Sequence, residues 1–252
     1  MGLRTLFVLV VGAVTLSAFL GESSTATAGS RACGAGDGGY TYAGHQASAR
    51  GHGVRATIAL KNAPRVDAGH VAGWVGVGGP GQGQNGEDAW IQVGVAAMQG
   101  VEPFLYAEIA HAGRQPQFVL LENGVRVGER RSLAVLEVAG RPGWWRVWVD
   151  GKPATKPALL RGSSGRWAPI ATAESWNGGE AACNSFAYRF ERVSVSHGAG
   201  GSWKPFVSAH RFLDHGYELR PLATAPGQPG VRARRLSTSS PAPLPYAFEA
   251  SS

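Results

Sequence analysis

The chain has 252 residues, a formal net charge of +7, only 16% charged residues, 37 glycines and two cysteines. Such a basic balance raises nucleic acid as a partner. The basic residues are scattered, however, adjacent only at Arg130-Arg131 and Arg234-Arg235, and no RNP, helix-turn-helix or zinc-finger pattern occurs, so no nucleic-acid partner is expected.

The first 28 residues read as a secretory signal peptide: Arg4 is the positive start, Leu6 to Leu20 is apolar, and Ala26-Thr27-Ala28 is a small-x-small cleavage site. The apolar run falls short of the ~20 residues that span a bilayer. The expected protein is therefore secreted and extracellular, without a membrane anchor. Cys33 and Cys183 are an even pair in an exported chain, and oxidising compartments favour a disulfide between them. With no CxxC and no nearby histidines they make a poor zinc site, so no metal is expected there.

Residues 29–53 carry Gly, Tyr, His and Ala without a helical period, and read as an irregular N-terminal arm with His45 and His52 as surface histidines. From Val54 the pattern is β. Candidate strands fall at 54–60, 71–79, 89–96, 103–111, 117–121, 125–127, 132–138, 144–150, 169–176, 185–196 and 217–219. Turn pairs separate them, including Asn123-Gly124, Pro142-Gly143, Asp150-Gly151 and Asn177-Gly178. Many short strands with frequent turns predict one all-β, antiparallel sandwich domain over 54–220. Residues 221–252 are rich in Pro, Ala, Ser and Arg with little periodicity, and read as a flexible tail that the sandwich does not need.

In a strand, residues i and i+2 share a face. Trp90 and Gln92 therefore point one way, and Ile91, Val93 and Val95 the other, toward a core. The same sorting sets Trp74 opposite Val75 and Val77, Tyr106 and Glu108 opposite Leu105 and Ile109, and Arg146 and Trp148 opposite Val147 and Val149. Glu174 shares its face with Thr172 and Trp176. The sequence thus offers aromatic and polar groups on a face turned from the core.

Four of these pieces, in order, resemble a family. Ala72-Gly73-Trp74-Val75-Gly76-Val77-Gly78-Gly79, then Trp90-Ile91-Gln92-Val93-Gly94-Val95, then Tyr106-Ala107-Glu108, then Ala173-Glu174-Ser175-Trp176 are similar to the signature segments of the glutamic peptidases, the eqolisins and their bacterial relatives. The chain departs from that pattern where Ser175 separates Glu174 from Trp176, and where Leu105 and Ala107 stand at usually aromatic positions. The resemblance implies a concanavalin A-like antiparallel β-sandwich, or jelly roll. It also implies a catalytic Gln/Glu pair on the concave face, at Gln92 and Glu174, with Trp74 in the groove wall. Trp90, Tyr106, Glu108, Trp148 and Trp176 are the expected substrate contacts. The activity implied is that of a secreted endopeptidase, a monomer acting on polypeptide without a cofactor.

Two other functions use the same face. In a non-catalytic, lectin-like module, Trp74, Trp90, Trp148 and Trp176 would stack on the sugars of a polysaccharide. In a glycoside hydrolase, Glu108 and Glu174 would be the two carboxylates, although no E-x-D-x-E motif is present.

Overall fold

Residues 39–176, 183–206, 209–222 and 247–252 are described by the computed structural model. The expected signal peptide and Cys33 lie outside them, and with Cys33 the expected disulfide. Among the described residues no cysteine is free.

Strands form where alternation predicts them, and rows assigned inward, such as Ile91, Val93 and Val95, are buried. In chain order the first strands are β1 (Tyr40–Ala47), β2 (Gly53–Leu60), β3 (Arg65–Val66), β4 (His70–Gly79), β5 (Ala89–Met98) and β6 (Val101–Ala110). There follow β7 (Gln117–Asn123), β8 (Arg130–Glu137), β9 (Trp144–Val149), β10 (Lys152–Pro153), β11 (Ala158–Leu159) and β12 (Pro169–Trp176). The last are β13 (Asn184–Ser185), β14 (Ala187–Ser196), β15 (Trp203–Pro205), β16 (Ala209–Leu213), β17 (Glu218–Pro221) and β18 (Phe248–Ser251). A 3-10 turn at Gln84–Gly86 is the one helical piece among the described residues.

Seven strands form one sheet in the order β16-β1-β12-β4-β5-β6-β7. Seven more run β10-β9-β8-β2-β14-β18-β17, with β11 on β9 and β15 on β14, and make the second sheet. All the pairings in both sheets are antiparallel. The core lies between the sheets. From the first come Val71, Val75, Val77, Ile91, Val93, Val95 and Leu105, and from the second Ile58, Leu60, Leu133, Val135, Val147, Tyr188 and Phe190, all buried.

The sequence reading fails at both ends of the sandwich. The expected irregular arm over 29–53 contains β1, paired with β12 along Tyr40–Gln46 and with β16 on its other side. Its period-2 rows, Ala43 and Ala47 inward against Tyr40 and Tyr42 outward, are hidden by glycine-rich surroundings. His45 is not a surface residue: it is 5% exposed, its ring meets Phe248 edge-on at 4.8 Å, and its Nδ1 has no partner. Burial, helped by Arg211, pushes its pKa down to about 4, so it stays neutral in the core. His52 accepts or donates a 2.5 Å hydrogen bond with the fully buried Glu137. In mid-chain, residues 125–127 form no strand, and the backbone N–H of Val125 instead donates to the Pro103 carbonyl at 2.7 Å.

The expected flexible tail also contains structure. β18 lies between β14 and β17. Phe248 is 1% exposed and stacks on Phe190 at 4.6 Å. Glu249 accepts from Arg189 at 2.7 and 2.9 Å and pairs with Arg220. The end of the chain is therefore part of the second sheet. Phe248→Ala is expected to cost about 3–5 kcal/mol, the usual loss for a buried aromatic, and to lower the melting temperature by roughly 10 °C. A thermal melt reading no shift would return residues 248–251 to a dispensable tail.

Candidate functional site

The outer face of the seven-stranded sheet carries a second, smaller buried cluster: Ala72, Trp74, Ala96, Phe104 and Tyr106, with Tyr42, Met98 and Ile170 packed against it. A sheet face turned to water is ordinarily polar and exposed. Here aromatic rings cover it. Tyr106 stacks on Phe118 at 5.4 Å, His70 on Trp176 at 5.6 Å, and Tyr40 on Tyr42 at 5.8 Å.

The two residues of the expected pair lie on this face and are largely shielded, Gln92 8% and Glu174 4% exposed. Register sets them on a diagonal. Gln92 lies across from Gly76 on β4 and Glu108 on β6. Glu174 lies across from Ala72 on β4 and Tyr42 on β1. Gly76 is small for a reason: a Cβ there would fall 2.8 Å from the Gln92 Cβ. Gln92 Nε2 donates to the Tyr106 hydroxyl at 3.2 Å. Among the described residues no hydrogen bond joins Gln92 to Glu174 directly.

Glu174 faces His70, whose Nε2 is 3.6 Å from its Oε1. Behind it, Ser175 points to the other side of the strand and is fully buried. Its Oγ accepts from Asn184 Nδ2 at 2.8 Å, and Asn184 also binds the Asp67–Ala68 backbone. The serine that interrupts the family pattern thus anchors the end of β12 rather than lining the site. The other departures, Leu105 and Ala107, also face the core and remove nothing from the outer face.

Glu108 is half-buried and accepts from the Trp90 indole N–H at 2.9 Å. Burial raises its carboxyl to about 7, and the Glu174 charge adds to this. The Trp90 hydrogen bond and the His70 charge oppose the rise without cancelling it. Electrostatically, then, the Glu108 end and the Glu174 end of the diagonal belong to one site. Burial and the same two carboxylates push the hydroxyls of Tyr40, Tyr42 and Tyr106 well above the ordinary tyrosine value, so all three remain donors.

Of the sequence-expected residues, the sheet brings together Gln92, Glu174, Trp74, Trp90, Tyr106, Glu108 and Trp176 on one face. It does not bring Trp148. That residue is in β9 of the other sheet, across from Pro153, with Arg146 at 5.9 Å from its ring. Alternation assigned it to a non-core face correctly, but a sandwich has two such faces and periodicity alone does not say which. Three residues of the site went unread. His70 shares strand parity with Trp74, and Tyr40 and Tyr42 lie in the segment taken for an irregular arm. Trp74 holds a further feature, a buried indole N–H with no partner. Among the described residues, no group of three His, Cys, Asp or Glu side chains is placed to hold a metal ion.

The two sheets and their connections define a concanavalin A-like, jelly-roll β-sandwich. No family model and no curated protein matches the sequence. Among solved structures the chain is similar to scytalido-glutamic peptidase with a transition-state analogue inhibitor, at a TM-score of 0.53 and 12% identity, over 84% of this chain and 98% of that one. It is also similar to SCP-B, a member of the eqolisin family of peptidases in complex with the tripeptide Ala-Ile-His, at a TM-score of 0.47 and 14% identity, over 84% and 98%. An alginate lyase from Pseudomonas aeruginosa gives a TM-score of 0.34 and 14% identity, over 54% and 62%. At 12% identity, the likeness to scytalido-glutamic peptidase shows the fold alone.

Glu108 also makes stability depend on pH. Its folded value lies above its ordinary one, so the folded state holds the proton more tightly than the unfolded chain does. The contribution is fully present below about pH 4.5 and is lost as pH rises through about 7. Glu108→Gln lacks this loss. Relative to wild type, the variant is expected to gain of order 1–3 kcal/mol between these limits, seen as a melting-temperature difference that opens with pH. A difference that stays flat from pH 4 to 8 would show that Glu108 titrates normally.

Proposed function

We propose that the chain is a secreted, monomeric endopeptidase of the glutamic type, with Glu174 and Gln92 as its catalytic pair. The observation that carries the reading is the placement of these two shielded polar side chains on the aromatic-covered outer face of the seven-stranded sheet. The sandwich fold shared with scytalido-glutamic peptidase supports it. The Cys33–Cys183 disulfide is part of the proposal, as a tie suited to an exported chain.

In this reading Glu174 is the general base. Its carboxylate takes a proton from water, and the hydroxide equivalent adds to the carbonyl carbon of the scissile peptide. The Gln92 carboxamide donates to the oxygen that gains negative charge. As the tetrahedral intermediate collapses, the C–N bond breaks and Glu174 returns its proton to the leaving amine. The unpartnered Trp74 indole N–H takes a substrate carbonyl, which satisfies a donor that is otherwise costly to bury. Glu108 lies across from Gln92, so its ionisation puts a second negative charge beside the developing oxyanion. Activity is therefore expected on the acid side of about pH 7, where Glu108 holds its proton.

One observation favours a second reading. A carboxyl held protonated near neutrality beside another carboxylate is the pattern of an acid and base in glycoside hydrolysis. There Glu108 would protonate the leaving oxygen. In a lectin-like module the same rings would bind polysaccharide without chemistry.

The test is cleavage of denatured protein and of polysaccharides across pH 2–8. For a glutamic peptidase, Glu174→Gln is expected to abolish peptide cleavage with the fold intact. Gln92→Ala is expected to lower the rate by about 10²–10³, as for loss of an oxyanion donor. Glu108→Gln is expected to stay active and to lose the alkaline fall. Sugar release that Glu108→Gln abolishes would establish the glycosidase instead, and polysaccharide binding without turnover the lectin. Unimpaired proteolysis by Glu174→Gln would overturn the assignment of the pair.

A further inference from the structure

Outside the outer-face site, a cleft of about 390 Å³ opens where the β4–β5 connection meets the segment before β12. Arg50, Arg161 and Arg166 line it together with Gln82, Gln84 and the edge of Trp167. Its frame is fixed by the main chain. The Trp167 indole N–H donates to the Gln82 carbonyl at 3.0 Å, and the Gly51 N–H to the Trp167 carbonyl at 3.0 Å, which holds Arg50 beside the ring. The Arg166 N–H closes a turn on the Ser163 carbonyl at 3.0 Å. Trp167 itself is 4% exposed and stacked on Trp145 at 6.1 Å, so the floor is part of the core.

Arg131, Arg189 and Arg220 each have a carboxylate partner. Among the described residues, none is in an ion pair with Arg50, Arg161 or Arg166. Glu87 and Asp88 belong to the same connection as Gln82 and Gln84, and Asp88 accepts from the Gly81 N–H at 2.9 Å. Three arginines line one cleft together with two carboxamides, and an anion held there would offset their like charge. Guanidinium forks match the oxygens of carboxylate, phosphate or sulfate in pairs. The volume suits a small ligand.

We infer that this cleft is a binding site for a compact, multiply charged oxyanion, held by Arg50, Arg161 and Arg166 with Gln82 and Gln84 as neutral donors. The site is separate from the Gln92–Glu174 face and does not rest on the activity proposed for it. Citrate, inorganic phosphate and sulfate carry the shared chemistry from different sources, and their relative affinities identify which the site takes.

Calorimetric titration of the intact protein with each anion, at ionic strength held constant with chloride, tests this. Saturable one-to-one binding of at least one is expected. Combined Arg50→Ala, Arg161→Ala and Arg166→Ala is expected to remove it, and combined Arg161→Lys and Arg166→Lys to weaken it about tenfold, because charge remains while the fork is lost. Combined Arg114→Ala, Arg126→Ala and Lys156→Ala removes the same net charge elsewhere and is expected to leave binding unchanged. If the alanine variant fails to fold, the lysine variant decides. No binding by wild type, equal loss in the control, or undiminished binding by the lysine variant would overturn the site.

Discussion

The ring of Tyr188 lies directly on the backbone of Gly73, where an added Cβ would come within 2.5 Å of its Cδ1. This contact sets how closely β14 of one sheet approaches β4 of the other. Gly73 lies across from Ala173, so the residue that precedes Glu174 is registered against this contact. Because strand faces alternate, the inward seating of Gly73 and Ala173 obliges Trp74 and Glu174 to point outward. Tyr188 is buried, its hydroxyl has no partner, and both burial and the Glu174 charge keep it protonated. The core and the candidate site thus meet through the thickness of a single strand pair.

The outer face combines two properties that rarely occur together on a solvent-facing sheet. It is aromatic enough to exclude much of the water, and it contains two carboxyl groups. Excluding water strengthens each charge felt there. The result is visible at Glu108, which shares its proton with difficulty while Glu174 is nearby. His70 offsets part of this, lying against Glu174 on one side and Trp176 on the other. The rings therefore tune the acids as well as covering the sheet.

Much of this was legible in the sequence, and the limits have physical causes. Alternation in Trp90–Val95 and Pro169–Trp176 identified the strands and the outward direction of Gln92 and Glu174, since a half-buried strand must sort its side chains by parity. Parity does not distinguish the outer face of one sheet from that of the other, and Trp148 was misplaced for that reason. β1 went unread because its outward tyrosines and inward alanines lie among glycines, with too little contrast in bulk. His45 shows the same limit from another side: a polar residue on a core face looks like a surface residue until its neighbours are known. β18 was hidden by its surroundings. Four residues beyond a stretch of proline, serine and arginine carry no pattern long enough to detect, yet Phe248 and Glu249 each find specific partners.

The position of β18 in the sheet has a consequence for how the protein is made. It lies between β14 and β17, although it follows every other strand in the chain. Until residues 248–251 have left the ribosome, β14 has an unpaired edge along Ala187–Phe190, and β17 lacks its strand partner among the described residues. Open edges of this kind recruit strands from other molecules. The nascent chain therefore passes through a nearly complete sandwich with one gap, and the interval before the gap closes is when self-association competes with folding.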